Sequence, residues 1–278
     1  MTGDTTLIFS LMTLMVFIGG VGGFLSGLLG VGGGFLFVPA LAYGMTALGY
    51  SADYSMHLAI GTSLAIMVAN GAVSVKNHQK HGGVDIDLLK DWGPFVVLGV
   101  VLGSGVASSL KSETLTILFV TITFLMSLYM GFSQDSFARA QKSEKKAETY
   151  HPFFFFFMGL LSSLVGIGGA IMTVPFMTWS GMPIARAIGT AAAFGLLISI
   201  PGTIGYIIMG AHASGLPPLS LGFVNLPATV LIIPSAILMS PYGVRMAHSL
   251  QKDTLRKVFA FLLLLISLKM FYGLIHHG

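Results

Sequence analysis

Eight long apolar stretches, with too little charge between them to clothe a water-soluble body, confine this chain to lipid. They occupy roughly 6–43, 56–76, 93–110, 114–133, 152–180, 186–210, 222–245 and 254–275, and a helix that crosses a bilayer needs about 20 mostly apolar residues. Only 9% of the 278 residues are Asp, Glu, Lys or Arg, against roughly 25% in a soluble domain. The 14 basic residues sit in short clusters between apolar stretches, as membrane loops require, and form no patch for nucleic acid. Cysteine is absent, which excludes disulfides, thiolate metal sites and thiol catalysis. The first 20 residues carry no Lys or Arg ahead of their apolar run, so they read as part of the mature protein and not as a cleaved signal.

The polar segment 134–151 divides the chain almost in half and invites a search for a duplication. Gly30-Val31-Gly32-Gly33-Gly34 with Pro39 returns 136 positions later as Gly166-Ile167-Gly168-Gly169-Ala170 with Pro175. Ala59-Ile60-Gly61-Thr62 returns after 128 positions as Ala187-Ile188-Gly189-Thr190, and the stretch 109–115 returns after 140 as 249–255. Three matches in one order predict two copies of one unit, 1–133 and 152–278, joined by the 134–151 linker.

Each copy opens with a segment interrupted by glycines, the poorest helix formers after proline. In the second copy about 14 apolar residues precede the cluster and about 11 separate it from Gly181, and neither arm suffices to span. Charge chooses between a bent span and a re-entrant hairpin. Eight single passes split the basic residues 8 to 6 across the membrane, whereas two re-entrant segments split them 12 to 2, with only Lys111 and Lys269 on the lesser side. The positive-inside rule expects the second split and a cytoplasmic linker. The predicted fold is therefore an all-α polytopic membrane protein of two repeats, each a re-entrant helical hairpin plus three transmembrane helices. Three spans per unit make the repeats inverted. The first copy has about 23 residues ahead of Gly30, enough to span, so its leading helix has a second possible placement.

Broken backbone at bilayer depth is tolerated only where it is buried in protein or lines a cavity. Gly30, Gly32, Gly33 and Gly34 predict one such tip, and Gly166, Gly168 and Gly169 the other, with Pro39 and Pro175 as breaks. Free N–H groups at half-helix starts suit an anion; the competing role for these glycines is close helix packing. Thr62, Ser63 and Thr190 place hydroxyls near the same depth, either for substrate oxygens or bonded back to their own helices. Asn70, two turns beyond Thr62, has Ile198 as its counterpart and serves as ligand or as interhelical glue. Arg186 and Lys76 lie at the expected cytoplasmic mouth. Every Asp and Glu falls at a predicted end or loop, so carboxylate-based ion coupling has no support. The run Phe153–Phe157 is expected to pack against lipid. No GxSxG, HExxH or P-loop occurs, so neither an enzyme nor a metal or cofactor site is expected.

The doubled Gly-Gly motif with its trailing proline and the paired Ala-Ile-Gly-Thr signatures resemble the TauE/SafE sulfite exporter family, also called the toluenesulfonate uptake permease (TSUP) family. The resemblance covers residues 10–275. It implies transport of a small sulfur-containing anion such as sulfite, sulfoacetate, thiosulfate or another organosulfonate, from a bacterial inner membrane. By position, Gly30–Gly34 with Pro39 and Gly166–Gly169 with Pro175 are the motif residues, although Gly34 becomes Ala170 and Ser63 becomes Ala191 in the second copy. Export is the expected direction, by alternating access at a midplane site. A monovalent anion leaving a negative interior gains about 2.3 kcal/mol per 100 mV. Import of the same anions and a non-transporting scaffold are the alternatives. A homo-oligomer is compatible with this reading, and membrane lipid is the surrounding partner.

Overall fold

A computed structural model describes residues 2–30, 32–50, 52–80, 82–132, 152–249 and 252–277. The expected linker at 134–151 lies outside the described residues. The chain is helical nearly throughout. The first copy supplies α1 (Thr2–Leu29), α2 (Gly34–Ala47), α3 (Ser55–Lys80), α4 (Ile86–Ser109) and α5 (Ser112–Phe132). The second supplies α6 (Pro152–Val165), α7 (Ala170–Trp179), α8 (Ile184–Gly210), α9 (Leu226–Ser249) and α10 (Lys252–His277). A two-residue antiparallel ladder, Ser220–Leu221 against Val224–Asn225, precedes α9. The protein is a multi-pass, all-α membrane protein.

The glycines stop and restart the helices where the motif predicts. α1 ends at Leu29 as Gly30 turns to φ 70°, and α2 restarts from Gly33 at φ 85°. α6 ends at Val165 before Gly166 at φ 68°. Both prolines lie inside the helix that follows, so the chain breaks at the glycines and continues through Pro39 and Pro175. Arms α6 and α7, of 14 and 10 residues, reach about 21 and 15 Å, short of the ~30 Å hydrocarbon core. In the first copy only α2, with 14 residues, is that short; α1 has 28 and its stretch Met12–Leu29 is apolar enough to cross. The two leading hairpins thus differ in the length of their first arm.

The two halves of the chain interleave. α1 packs along α9 and its counterpart α6 packs along α4; α3 lies against α8, and α5 against α10. Small residues allow the closest of these approaches: Gly19, Gly23 and Gly27 bring α1 onto the backbone of α9, and Gly159 brings α6 onto α4. Large apolar side chains such as Phe17, Leu98, Val101, Val230, Leu238 and Phe261 face outward on α1, α4, α9 and α10, as lipid permits. Phe153 and Phe157, one turn apart, also face outward, as expected. Phe155, on the opposite face of the same helix, is instead fully buried and stacks on Trp92 at 5.6 Å and Phe194 at 5.2 Å.

Local contacts sort the loops to two ends. Ser112 Oγ donates to Asp53 O at 2.8 Å, and the Lys269 ammonium lies 5.3 Å over the Tyr43 ring. Lys111 and Lys269, the two basic residues set apart by the charge split, therefore share the end where α3 begins. Arg186 reaches the 82–85 loop, at the end where α3 finishes.

Candidate functional site

The two glycine breaks meet inside the protein. A Cβ on Gly34 would collide with the Gly166 carbonyl oxygen and come within 3.1 Å of Ile167 Cα. Ser63 Oγ donates to that same Gly166 oxygen at 3.1 Å, and Asn70 Nδ2 donates to Gly32 O at 3.4 Å. Thus Gly32, Gly34, Ser63, Asn70 and Gly166 form one buried centre. Gly30 lies against the Ile188 backbone and Gly33 against Phe37. Gly168 and Gly169 line a small pocket with Ser162, Val165 and Met172, of about 10 Å³, room for no more than about one water. The tips are closed on each other.

Thr62 and Thr190 do something the sequence alone does not reveal. Thr62 Oγ1 accepts from the backbone N–H of Asn225 at 2.9 Å, and Thr190 Oγ1 accepts from that of Asp85, also at 2.9 Å. Each acceptor sits in one half of the chain and each donor in the other. The glycine before each threonine lets the loop in: a Cβ on Gly61 would strike Phe223 O, and one on Gly189 would strike Gly83 O. Both donors also start a helix, since the Asp85 carboxylate accepts from Leu88 N at 3.1 Å and the Asn225 carboxamide oxygen from Ala228 N at 2.9 Å. Each Ala-Ile-Gly-Thr motif is a latch on the loop that leads into a helix of the other half of the chain. The latches lie at opposite ends: Asn225 follows Phe223, which packs 5.3 Å from Tyr54 at the start of α3, whereas Asp85 follows the end of α3.

Arg186, expected at a mouth, binds Asp85 Oδ2 at 2.9 Å, which adds a charge pair to the Thr190 latch. Its side chain is 52% exposed, and such pairs contribute roughly 0–1 kcal/mol. Arg186→Gln is therefore expected to lower stability by under about 1 kcal/mol and leave flux within twofold, checked by thermal melting and vesicle flux. Lys76 sits on an exposed face of α3.

Sequence reasoning named Asn70 but passed over the buried polar residues that accompany it beside the first tip. Asn70 and Ser74 share a face of α3 with His78, whose Nε2 lies 3.2 Å from Gly27 O. Ser26, four residues before Gly30, and Ser240 on α9 are fully buried as well. The one available signal was the i, i+4, i+8 spacing of 70, 74 and 78. Among the described residues, no group of three or more His, Cys, Asp or Glu side chains is arranged to hold a metal.

The chain matches the family described as sulfite exporter TauE/SafE over residues 15–270. It is 30% identical over 267 residues to a probable membrane transporter protein of Haemophilus influenzae, covering 95% of this chain and 99% of that one. It is 26% identical to a probable membrane transporter protein of Methanocaldococcus jannaschii, over 88% of this chain and 90% of the relative. A Bacillus subtilis protein with the same description is 24% identical, over 93% and 97% of the two chains. No solved structure matches the chain.

Proposed function

The chain belongs to the sulfite exporter TauE/SafE family, whose relatives above are named as membrane transporters and not as enzymes, and from that premise we propose that it carries a small sulfur oxyanion out of the cytoplasm. The substrate is sulfite or a related organosulfonate, and the membrane a bacterial inner membrane. The observation that carries this reading is the meeting of two glycine breaks, one from each half of the chain, beside buried polar atoms that have no hydrogen-bond partner. Asn70 Oδ1 and Ser26 Oγ are buried with no hydrogen bond. A scaffold gains nothing from such groups, since unpaired buried polar atoms are unfavourable; a transporter needs them when substrate arrives.

The two latches support alternating access between inverted repeats. With both fastened, as here, the tips are shut from both ends. Releasing the Asp85–Thr190 latch opens the end that carries Arg186, the cytoplasmic end by the charge split. Releasing the Asn225–Thr62 latch opens the other. The half-helices α2 and α7 start at the tips, and their free N–H groups supply the positive field for an anion.

Radiolabelled sulfite flux in proteoliposomes, with the membrane potential set by a potassium gradient, tests the reading. The accumulation ratio of a monovalent anion is expected to change roughly fiftyfold per 100 mV. Folded protein that moves none of sulfite, sulfoacetate, taurine or thiosulfate under any potential would refute it.

A further inference from the structure

Four buried polar atoms without partners gather on the first-copy side of the tips: Ser26 Oγ, Asn70 Oδ1, Ser74 Oγ and Ser240 Oγ. All four residues are at most 1% exposed. Their neighbourhood follows from bonds that are made. Asn70 anchors on Gly32 O and His78 on Gly27 O, so the α3 face that carries Asn70, Ser74 and His78 runs along the end of α1 and the first break. Gly27 in turn lies against the Ser240 backbone. Gly22, one turn before Ser26 on the same face of α1, looks onto Phe37 of α2, so Ser26 faces the inside of the hairpin.

The other copy shows that the fold does not ask for these groups. Position by position, Ser26, Asn70, Ser74 and Ser240 correspond to Ser162, Ile198, Gly202 and Val100. Ile198 and Val100 are fully buried apolar residues, and a Cβ on Gly202 would touch Val100 at 3.5 Å. Since α3 packs against α9 as α8 packs against α4, the same correspondence would set Ser74 toward Ser240. Three of the four positions are therefore apolar in the second half of the chain. On the first-copy side they are polar, and the structure leaves them unsatisfied, an arrangement that is unfavourable unless something else is bound there.

We propose that Ser26, Asn70, Ser74 and Ser240 form an off-axis chamber that holds the oxygens of the transported oxyanion. The three hydroxyls donate to the anion, and the Asn70 carboxamide, anchored by its Nδ2 on Gly32 O, takes a protonated oxygen or a bound water with its Oδ1. Substrate thus sits against the first tip and α3, not symmetrically between the two tips. Neutral donors suit this ligand, because they bind an oxyanion without adding a countercharge that would hold it in the membrane. This assignment rests on the transport reading above and adds to it where the anion sits.

The test is ligand-dependent thermal stabilisation of the full chain in detergent, titrated with sodium sulfite against sodium chloride at matched sodium concentration. Binding to the folded state alone raises the melting temperature whether or not transport follows. In Ser74→Ala/Ser240→Ala the half-maximal sulfite concentration is expected to rise about tenfold or more, as lost hydrogen bonds to a charged ligand imply. Ser240→Val, which copies the other half's residue, gives the same direction and covers a double variant that does not fold. Ser199→Ala serves as the control, since that hydroxyl already donates to Leu196 O at 3.1 Å, and its response should match the parent. An unchanged half-maximal concentration in Ser240→Val, with the parent responding, overturns the chamber and leaves transport through the tips standing. No response from the folded parent to sulfite, sulfoacetate or thiosulfate overturns both. Stabilisation by sodium alone, lost in Ser240→Val, overturns the oxyanion assignment in favour of a cation site.

Discussion

Gly34→Ala and Gly166→Ala should each abolish anion flux, with one added methyl group apiece. At Gly34 the new Cβ drives into the Gly166 carbonyl oxygen and lies 3.1 Å from Ile167 Cα. Met67 Sδ, at 3.0 Å, can swing aside, but the two obstacles from the second tip are backbone and cannot. At Gly166 the Cβ meets Ile60 Cα at 3.0 Å, and φ there is 68°. Overpacking costs about 1–3 kcal/mol, and the left-handed backbone at Gly166 adds about 1–2 kcal/mol. Gly34 lies within α2, where Ala is the better helix former by about 1 kcal/mol. A fall in melting temperature there isolates the collision between the tips. Gly49→Ala is the comparison: φ is 78°, yet nothing lies within 4 Å of the new methyl. It should lose only the backbone term and keep its flux. Wild-type flux in Gly34→Ala would show that the tips need not touch during the cycle.

Particular residues show what could be read in advance. The breaks at Gly30 and Gly166 follow from local chemistry alone, because a run of glycines stops a helix wherever it stands. The long spanning helices were likewise legible from apolar length. Arms differ because α1 continues 28 residues back from Gly30, whereas α6 has only 14 ahead of Gly166; the residue count showed the surplus, but the duplication argued for symmetry. The Thr62 and Thr190 bonds were not legible, since their partners lie 163 and 105 residues away on the other copy. A trace was present: Asp85 and Asn225 are 140 apart, the spacing of the third repeat match, and both are residue types that cap helix starts. The partner of Arg186 was hidden in the same way. The sequence sets it at a cytoplasmic mouth, and only the folded loop brings Asp85 to it. Phe155 shows the opposite error, where an aromatic run hid the helical period that turns one ring inward.

Thr62→Val and Thr190→Val should then unfasten opposite ends of the protein. Valine keeps the shape of threonine and removes the hydroxyl, so the backbone N–H of Asn225 or Asp85 loses its acceptor. A buried donor left unpaired costs about 1–3 kcal/mol. Asn225 and Thr62 are 6% and 0% exposed, which puts Thr62→Val toward the upper part of that range; Asp85 has more access to water and a second hold through Arg186. A loss of about 2 kcal/mol shifts the balance of closed to open by roughly 30-fold. The chain contains no cysteine, so a single introduced one reports access without background. Cysteine at Ser63 in Thr62→Val should react faster with a membrane-impermeant thiol reagent added from the Lys111 and Lys269 side. Cysteine at Ala191 in Thr190→Val should react faster from the Arg186 side. Each acceleration should be smaller from the opposite face, since the second latch stays fastened. Equal acceleration from both faces in either variant would mean that the two latches open together, and a single open pore would replace alternating access.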